Sequence, residues 1–152
     1  MRPVHHVMIS GGVSTLFAIW VESVWAIGAC FLSGIFIDLD HHFDYMISRK
    51  ELPLSYKKLL DFLEKDHSTK LYLFLHSHEL LLLFWMAIFY FSLGEVWIGV
   101  AVGFTTHILC DEIANPFRPL AYFLTYRIKH QFNRKMLFKE SFFDNVPSAK
   151  TH

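Results

Sequence analysis

The chain has 152 residues, of which 53% are hydrophobic and 17% aromatic, and its 14 Lys and Arg balance its 14 Asp and Glu. This length suits a single domain, and the hydrophobicity excludes intrinsic disorder. A nucleic-acid partner is not expected, because the chain has no basic excess. Cys30 and Cys110 lie in apolar runs without C-x-x-C spacing, so the sequence indicates neither a disulfide framework nor a thiolate metal site.

Four apolar stretches predict an all-α membrane protein with four transmembrane helices arranged as two hairpins. They cover residues 4–21, 23–37, 71–93 and 96–114. Three of them approach the ~20 residues that cross the hydrocarbon core of a bilayer, and the second is shorter. The first stretch has a barely basic start and no A-x-A cleavage site, so we expect it to be retained rather than removed as a signal peptide.

The positive charges predict the orientation of these helices. Arg2 precedes the first helix, and the other 13 Lys and Arg lie in the central loop, residues 38–70, or in the tail, residues 115–152. The two hairpin turns carry only Glu22 and Glu95. Because Lys and Arg mark the cytoplasmic side, both termini and the central loop are expected there. The sequence therefore predicts one multi-pass domain in the inner (cytoplasmic) membrane.

Two cytoplasmic segments are predicted to form short interfacial helices. Residues 55–65 place apolar side chains at i, i+3, i+4 and i+7 after Ser55, a plausible N-cap, which is typical of an amphipathic helix on the inner leaflet. The tail from residue 120 to 143 mixes aromatic and basic side chains. We interpret it as an aromatic membrane anchor, with a specific lipid-headgroup site as the alternative.

Eight polar side chains fall at the predicted cytoplasmic ends of the four helices. They are His6, Asp38, Asp40, His41, His76, Glu79, His107 and Asp111. In antiparallel hairpins these ends come together, so the eight groups are expected at similar depth. His107 and Asp111 are four residues apart and share one helical face, as do His76 and Glu79 at three. Asp38 and Asp40 align only if the second helix unwinds into an extended stretch.

Imidazoles and carboxylates without a thiolate indicate a divalent transition metal, with zinc our first choice and manganese or iron as alternatives. Eight candidates exceed the ligand number of one zinc, which favours two metals, or one metal with additional acid/base groups. The predicted ligands are His6, Asp38, Asp40, His76, His107 and Asp111. Glu79 is interpreted as a ligand or the general base, and His41 as a ligand or an acid. His5 competes with His6.

The alternative for these groups needs no metal. A His/Asp pair on one helix can be a buried hydrogen-bonded pair, and polar residues at a helix end can be solvated caps. Glu79 could pair with a basic side chain. A cluster of all eight at one end of the bundle is less easily explained in this way, because charged groups at membrane depth are costly.

The chain also resembles a family, the small bacterial inner-membrane proteins known as membrane-bound metal-dependent hydrolases, some of which are called LexA-binding inner-membrane proteins. The segments that carry the resemblance are residues 6–10 (HVMIS), 37–41 (IDLDH), 75–80 (LHSHEL), 103–111 (GFTTHILCD) and 121–127 (AYFLTYR). Many members have an H-R-G-x-T-H-S segment where this chain has only His76-Ser77, so the first His of that pattern is missing. The resemblance favours His76 over His78 as a ligand.

The resemblance implies a metal site and, through a distant similarity to zinc-dependent phospholipase C, a hydrolase. The expected function is therefore a metal-dependent hydrolase at the inner-leaflet surface, acting on a phosphoester or lipid headgroup. The alternative is a non-enzymatic metal-binding membrane protein with a structural, sensing or partner-docking role. Membrane lipid and metal ions are the expected partners, and the oligomeric state is left open.

Overall fold

The computed structural model describes residues 3–53, 55–65 and 70–144, apart from the side chains of residues 56, 64, 65, 143 and 144. Within these ranges the regular structure is helical, which confirms the predicted all-α class, and the only β-pairing is two isolated bridges. The α-helices in chain order are α1 (Pro3–Phe17), α2 (Val24–Phe36), α3 (Leu39–Arg49), α4 (Tyr56–Lys65), α5 (His78–Tyr90), α6 (Glu95–Ala114), α7 (Leu124–Lys129), α8 (Arg134–Leu137) and α9 (Glu140–Asp144). A 3₁₀ turn, Pro119–Tyr122, precedes α7.

The chain forms two compact units. The first consists of Met1–Asp38 and Leu75–Asn115 and contains α1, α2, α5 and α6. The second consists of Leu39–Phe74 and Pro116–His152 and contains the remaining helices. Thirteen of the 14 Lys and Arg but only eight of the 14 Asp and Glu belong to the second unit, so its net charge is +5 and that of the first unit is −5.

Helices α2 and α6 form the centre of the first unit, where they make the most extensive contact between any two of the described helices. A small-residue stripe, Ala26, Cys30 and Gly34, is buried on α2 at intervals of four residues. It meets Gly99 and Gly103 on α6, whose missing side chains leave room for the backbone of α2. Small residues at such spacing allow the backbones of two helices to approach closely, as they do in helix pairs that span membranes.

Polar side chains add cross-links within the first unit. Ser33 Oγ on α2 donates a hydrogen bond to the carbonyl of Val100 on α6 at 3.0 Å. Trp85 Nε1 on α5 donates to Thr105 Oγ1 on α6 at 3.0 Å. These bonds link neighbouring helices and help to fix α2 and α5 against α6.

In the second unit α4 forms over most of the range predicted for the amphipathic helix. Part of its apolar side packs against protein. Leu59 and Phe62 are buried with Tyr45 of α3 in one small core. Leu59 belongs to the apolar face that was predicted to lie on the lipid surface, and the protein itself covers it, whereas Phe62 lies outside that predicted set. The interfacial position of the helix stays a prediction.

The predicted helix over 71–93 begins only at His78. Leu71 and Leu73 are buried instead in the core of the second unit, with Ala121, Leu137 and Phe138. Side chains replace the helical hydrogen bonds of this segment. Asp44 Oδ1 accepts the Tyr72 N–H at 2.8 Å, and the buried Arg127 donates to the carbonyls of Tyr72 and Leu73.

Two helical segments are long and apolar enough to cross a membrane, Val24–Arg49 and Glu95–Ala114, and His78–Tyr90 is a shorter apolar helix. Helix α6 matches the predicted fourth span within one residue. Helix α1 ends at Phe17, four residues before the predicted end of the first span. Many large apolar side chains of the first unit are exposed, among them Met8, Leu16, Leu82, Leu83 and Phe89.

Candidate metal centre

Five of the predicted site residues meet in the first unit. His6 lies on α1, Asp38 follows α2, His76 precedes α5, and His107 and Asp111 lie one turn apart on α6. The exposed fraction of the side chain is at most 2% for His6, His76, His107 and Asp111, and 25% for Asp38. The group is thus almost enclosed, with its open side at Asp38.

The polar atoms of these side chains converge. Nε2 of His6 lies 3.1 Å from Asp111 Oδ1, and Nε2 of His107 lies 3.3 Å from Asp38 Oδ1. Asp111 Oδ2 is 3.5 Å from Nε2 of both His76 and His107. The two distances to Asp38 from His76 and His6 are longer, 3.9 and 4.0 Å. Each of the three imidazoles therefore directs Nε2 towards the same two carboxylates.

The backbone fixes the tautomer of His107. Nδ1 of His107 lies 2.8 Å from the carbonyl oxygen of Gly34, an atom that can only accept, so Nδ1–H must be the donor. In a neutral imidazole Nε2 then carries a lone pair, and it points into the cluster. Metal-binding histidines are commonly oriented in this way by a hydrogen bond on the other ring nitrogen.

A positive charge is needed between these atoms. Nε2 of His107 faces Nε2 of His76 at 3.2 Å as well as the carboxylates, and lone pairs at such distances repel one another. Protons on the imidazoles would supply the charge, and so would a bound cation. The buried Nε2 of His6, 3.1 Å from Asp111 Oδ1, would share either kind of charge with that carboxylate.

The dimensions of the cluster fit a metal ion. Ligand atoms about 2.0–2.2 Å from a tetrahedral zinc lie about 3.3–3.6 Å from one another. The shorter distances in the cluster, from 3.1 to 3.5 Å, are close to this range. One set of ligand atoms, from His6, Asp38, His107 and Asp111, lies within 4.8 Å of one another and could hold a metal ion.

The sequence leaves two choices of ligand open, His5 or His6 and His76 or His78. The two histidines of each pair occupy different environments. His5 is exposed, whereas the neighbouring His6 is buried and stacks on His107 with ring centroids 3.9 Å apart. His78 lies at the start of α5 and pairs with Glu112, its Nε2 3.3 Å from Oε2. The geometry therefore favours His6 and His76 as the ligands of each pair.

His76 and Glu79 do not share a helical face, which corrects the expectation for the third helix. Ser77 separates them as the N-cap of α5, with an extended backbone and Oγ accepting the Leu80 N–H at 3.2 Å. Ser77 Oγ also donates to Glu79 Oε2 at 2.9 Å. His76 thus reaches the cluster from a non-helical segment, and the role of Glu79 as a base or ligand stays a prediction.

Asp40 and His41 belong to the second unit, in the first turn of α3. Asp40 is buried and His41 half-buried. The extended stretch that would align Asp38 with Asp40 does not form, because residues 37 and 38 make a turn and the helix resumes at Leu39. The functional roles predicted for Asp40 and His41 stay predictions.

Two contributors to the site were not predicted. The Gly34 carbonyl has no sequence signal of its own, because a backbone acceptor is available at every residue. The N-cap Ser77 was detectable, since a Ser two residues before Glu79 and ahead of a run of leucines is a typical helix start. The Gly34 carbonyl orients His107, and Ser77 begins the helix that directly follows His76.

Comparisons with protein-family models, with curated proteins and with solved structures found no match. The family resemblance therefore depends on short segments of the chain, among them residues 37–41 and 103–111.

Proposed function

We propose that this protein is a metal-dependent hydrolase of the cytoplasmic membrane, with its site towards the inner leaflet. The observation that carries the proposal is the convergence of three imidazole Nε2 atoms on two carboxylates inside an apolar helical unit. Buried carboxylates are stable when they pair with cations or bind metals. Zinc is our first choice, because three imidazoles and two carboxylates match its common ligands; manganese and iron are alternatives.

The membrane assignment is supported by composition and exposure. Two helical segments are apolar and long enough to span a bilayer, and the outer surfaces of α1 and α5 expose Met8, Leu16, Leu82 and Leu83. We propose four spans with both termini cytoplasmic. The distribution of Lys and Arg supports this orientation, since hardly any lie in the first unit and none in its two hairpin turns.

The residues of the chain would divide the work of hydrolysis as follows. A bound divalent ion supplies Lewis acidity towards a phosphoryl or carbonyl oxygen and lowers the pKa of water. His6, His107 and Asp111 are buried and would hold their positions throughout the reaction. Asp38, the most exposed of the five side chains, marks the side from which substrate would approach. Glu79 is our proposed general base.

A second candidate function is a structural or sensing metal site without catalysis. The burial of four of the five side chains favours it, because structural zinc sites are closed whereas catalytic sites keep an open position. The number of water molecules exchanging at the metal separates the two, since a closed shell of protein ligands admits none.

The first experiment is metal analysis of the purified full-length protein at neutral pH with matched histidine variants. We expect stoichiometric transition metal in the wild type and in His5→Ala, and loss of most of it in His6→Ala and His107→Ala. His5 is the control because it is the exposed sequence neighbour of His6. Metal-free wild-type protein, or equal metal content in all variants, would refute the metal site. Hydrolysis by the loaded wild type then tests the catalytic part of the proposal.

A further inference from the structure

Helix α3 of the second unit buries acidic side chains and exposes apolar ones. Asp40 and Asp44 on this helix are 4% and 1% exposed. Four of its large apolar side chains are between 38% and 57% exposed: Leu39, Phe43, Met46 and Ile47. We call these four the apolar stripe of α3. A surface helix of a water-soluble protein has the opposite arrangement, with its apolar face towards the core and its charges towards the solvent.

The apolar stripe of α3 is one continuous face. Its members stand at i, i+4, i+7 and i+8 from Leu39, so at 3.6 residues per turn they fall within about 100° of the helix circumference. The stripe is about 12 Å long at 1.5 Å per residue. Single exposed apolar residues are common on protein surfaces, whereas a contiguous apolar patch marks a surface that binds something.

The other sides of α3 are held by the second unit itself. Asp44 Oδ1 accepts the Tyr72 N–H at 2.8 Å, which ties one side of the helix to the segment before the metal centre. Tyr45 lies in the small core with Leu59 and Phe62. A rotation of α3 that buried the apolar stripe would break both contacts and bring the two carboxylates out. The outward position of the stripe is therefore fixed by the fold.

The chain itself offers little that could cover the stripe. Residues 1–2, 54, 66–69 and 145–152 lie outside the described ranges, and their large apolar residues are Met1, Leu54 and Val146. These three are scattered along the sequence and cannot form a complementary face for four large side chains. The surface that covers the stripe must come from outside the chain.

The remaining surface of the second unit favours lipid over a protein partner. Exposed apolar side chains also occur in the tail, at Leu120, Phe123, Ile128 and Met136. Exposed lysines lie among them, at Lys129, Lys135 and Lys139. Apolar and basic side chains spread over several elements fit the boundary of an anionic bilayer, which contacts all of them at once. A folded partner would be expected to need one compact patch.

We infer that α3 is a lipid-binding helix that lies in the inner leaflet, with its apolar stripe against the acyl chains. The inference rests on the proposed membrane location and is independent of hydrolysis. Helix α3 begins one residue after Asp38, close to the end of α2, so a span at α2 delivers it to the membrane surface. Lys50 directly follows α3 and is exposed, and its long side chain can reach lipid phosphates. Amphipathic helices of this kind bury their apolar face about 5–10 Å into the boundary between headgroups and acyl chains.

The experiment measures what surrounds a nitroxide attached to the stripe. Cys30 and Cys110 are replaced by Ala in the full-length protein, and one new cysteine is introduced by Phe43→Cys and labelled. The protein is reconstituted into vesicles of phosphatidylcholine and phosphatidylglycerol. Collisions of the label with oxygen, which concentrates among acyl chains, are compared with collisions with a water-soluble nickel complex. Met46→Cys repeats the measurement at a second position of the stripe, in case one label disturbs the helix.

Two matched controls separate this inference from the membrane assignment. Leu32→Cys labels an exposed apolar position of α2, and Lys57→Cys labels an exposed basic position of α4. We expect the ratio of oxygen to nickel collisions at position 43 to resemble that at 32 and to exceed that at 57 several-fold. A ratio at 43 equal to that at 57, with lipid contact at 32, would overturn the inference and leave the membrane assignment intact.

Two further outcomes are decisive as well. A label at position 43 that is shielded from both reagents would also overturn the inference, because protein, such as a second copy of the chain, would then cover the stripe. Contact of all the labels with water, including the one at position 32, would refute the membrane assignment and the lipid-binding role of α3 with it.

Discussion

The close approach of α2 and α6 at Gly103 gives a direct test of the packing that positions the site. A Cβ added at Gly103 would fall against the carbonyl oxygen of Cys30 and 2.9 Å from the backbone N of Gly34. These are main-chain atoms, so no change of rotamer can relieve the overlap and the two helices must separate. Gly103→Ala should therefore affect both stability and metal binding.

The size of the effect follows from two opposing contributions. Overpacking a tight contact lowers the unfolding free energy by about 1–3 kcal/mol. Alanine in place of glycine within a helix raises it by about 0.5–1 kcal/mol. A net loss of about 1–2 kcal/mol should lower Tm by about 2–8 °C for a chain of this length. His107 and Asp111 follow Gly103 on the same face of α6, so metal affinity should fall about tenfold or more, as it does when orienting contacts are lost.

The assay is thermal unfolding of the metal-free protein in detergent, with a metal titration in parallel. Gly28→Ala on α2 is the matched control, because a Cβ there meets nothing within 4 Å. The control should be as stable as the wild type or slightly more so. If Gly103→Ala unfolds at the same temperature as Gly28→Ala and binds metal as tightly, the two helices do not approach as described.

Three further predictions address the cap, the second unit and the metal. Ser77→Ala removes the N-cap of α5 and should cost about 1 kcal/mol in chemical unfolding, with weaker metal binding because His76 precedes the cap; unchanged binding would show that the cap does not position His76. Arg127→Met leaves the carbonyls of Tyr72 and Leu73 without this donor and should destabilise the protein by about 2–4 kcal/mol, whereas the exposed Lys129→Met control should have little effect on unfolding. Removal of a metal present at 1,000 times its Kd should lower the unfolding free energy by about 4 kcal/mol, and a chelator that leaves Tm unchanged would argue against a metal bound to the folded state.

The sequence predicted the helical class and most of the cluster for a clear physical reason. Ionisable side chains are so unfavourable in apolar helices that their positions carry strong information, and the antiparallel order of His6, Asp38, His107 and Asp111 brings them to one end. The predicted start of the third helix was wrong, because an apolar run such as residues 71–75 is compatible with a helix and with a buried extended segment equally well. Arg127 and Asp44 decide between the two, and they lie far away in sequence.

The apolar face of α4 shows that hydrophobic periodicity alone does not predict what an amphipathic helix packs against. The same periodicity fits a helix on a lipid surface and a helix on a protein core, and only the buried contact of Leu59 and Phe62 with Tyr45 separates them. The Gly34 carbonyl that orients His107 could not have been predicted at all. Its role depends on where two helices cross, and that crossing is set by the small residues between them.

The chain leaves the first unit after Asp38 and returns to it at Leu75, one residue before His76. The side chains of Asp38 and His76 approach to 3.9 Å, so the departure and the return of the chain lie side by side. The segment between them, residues 39–74, therefore begins and ends at one place in the first unit. A metal that binds both Asp38 and His76 would close this loop of the chain in the manner of a disulfide, and it would restrict the unfolded chain as well as the folded one.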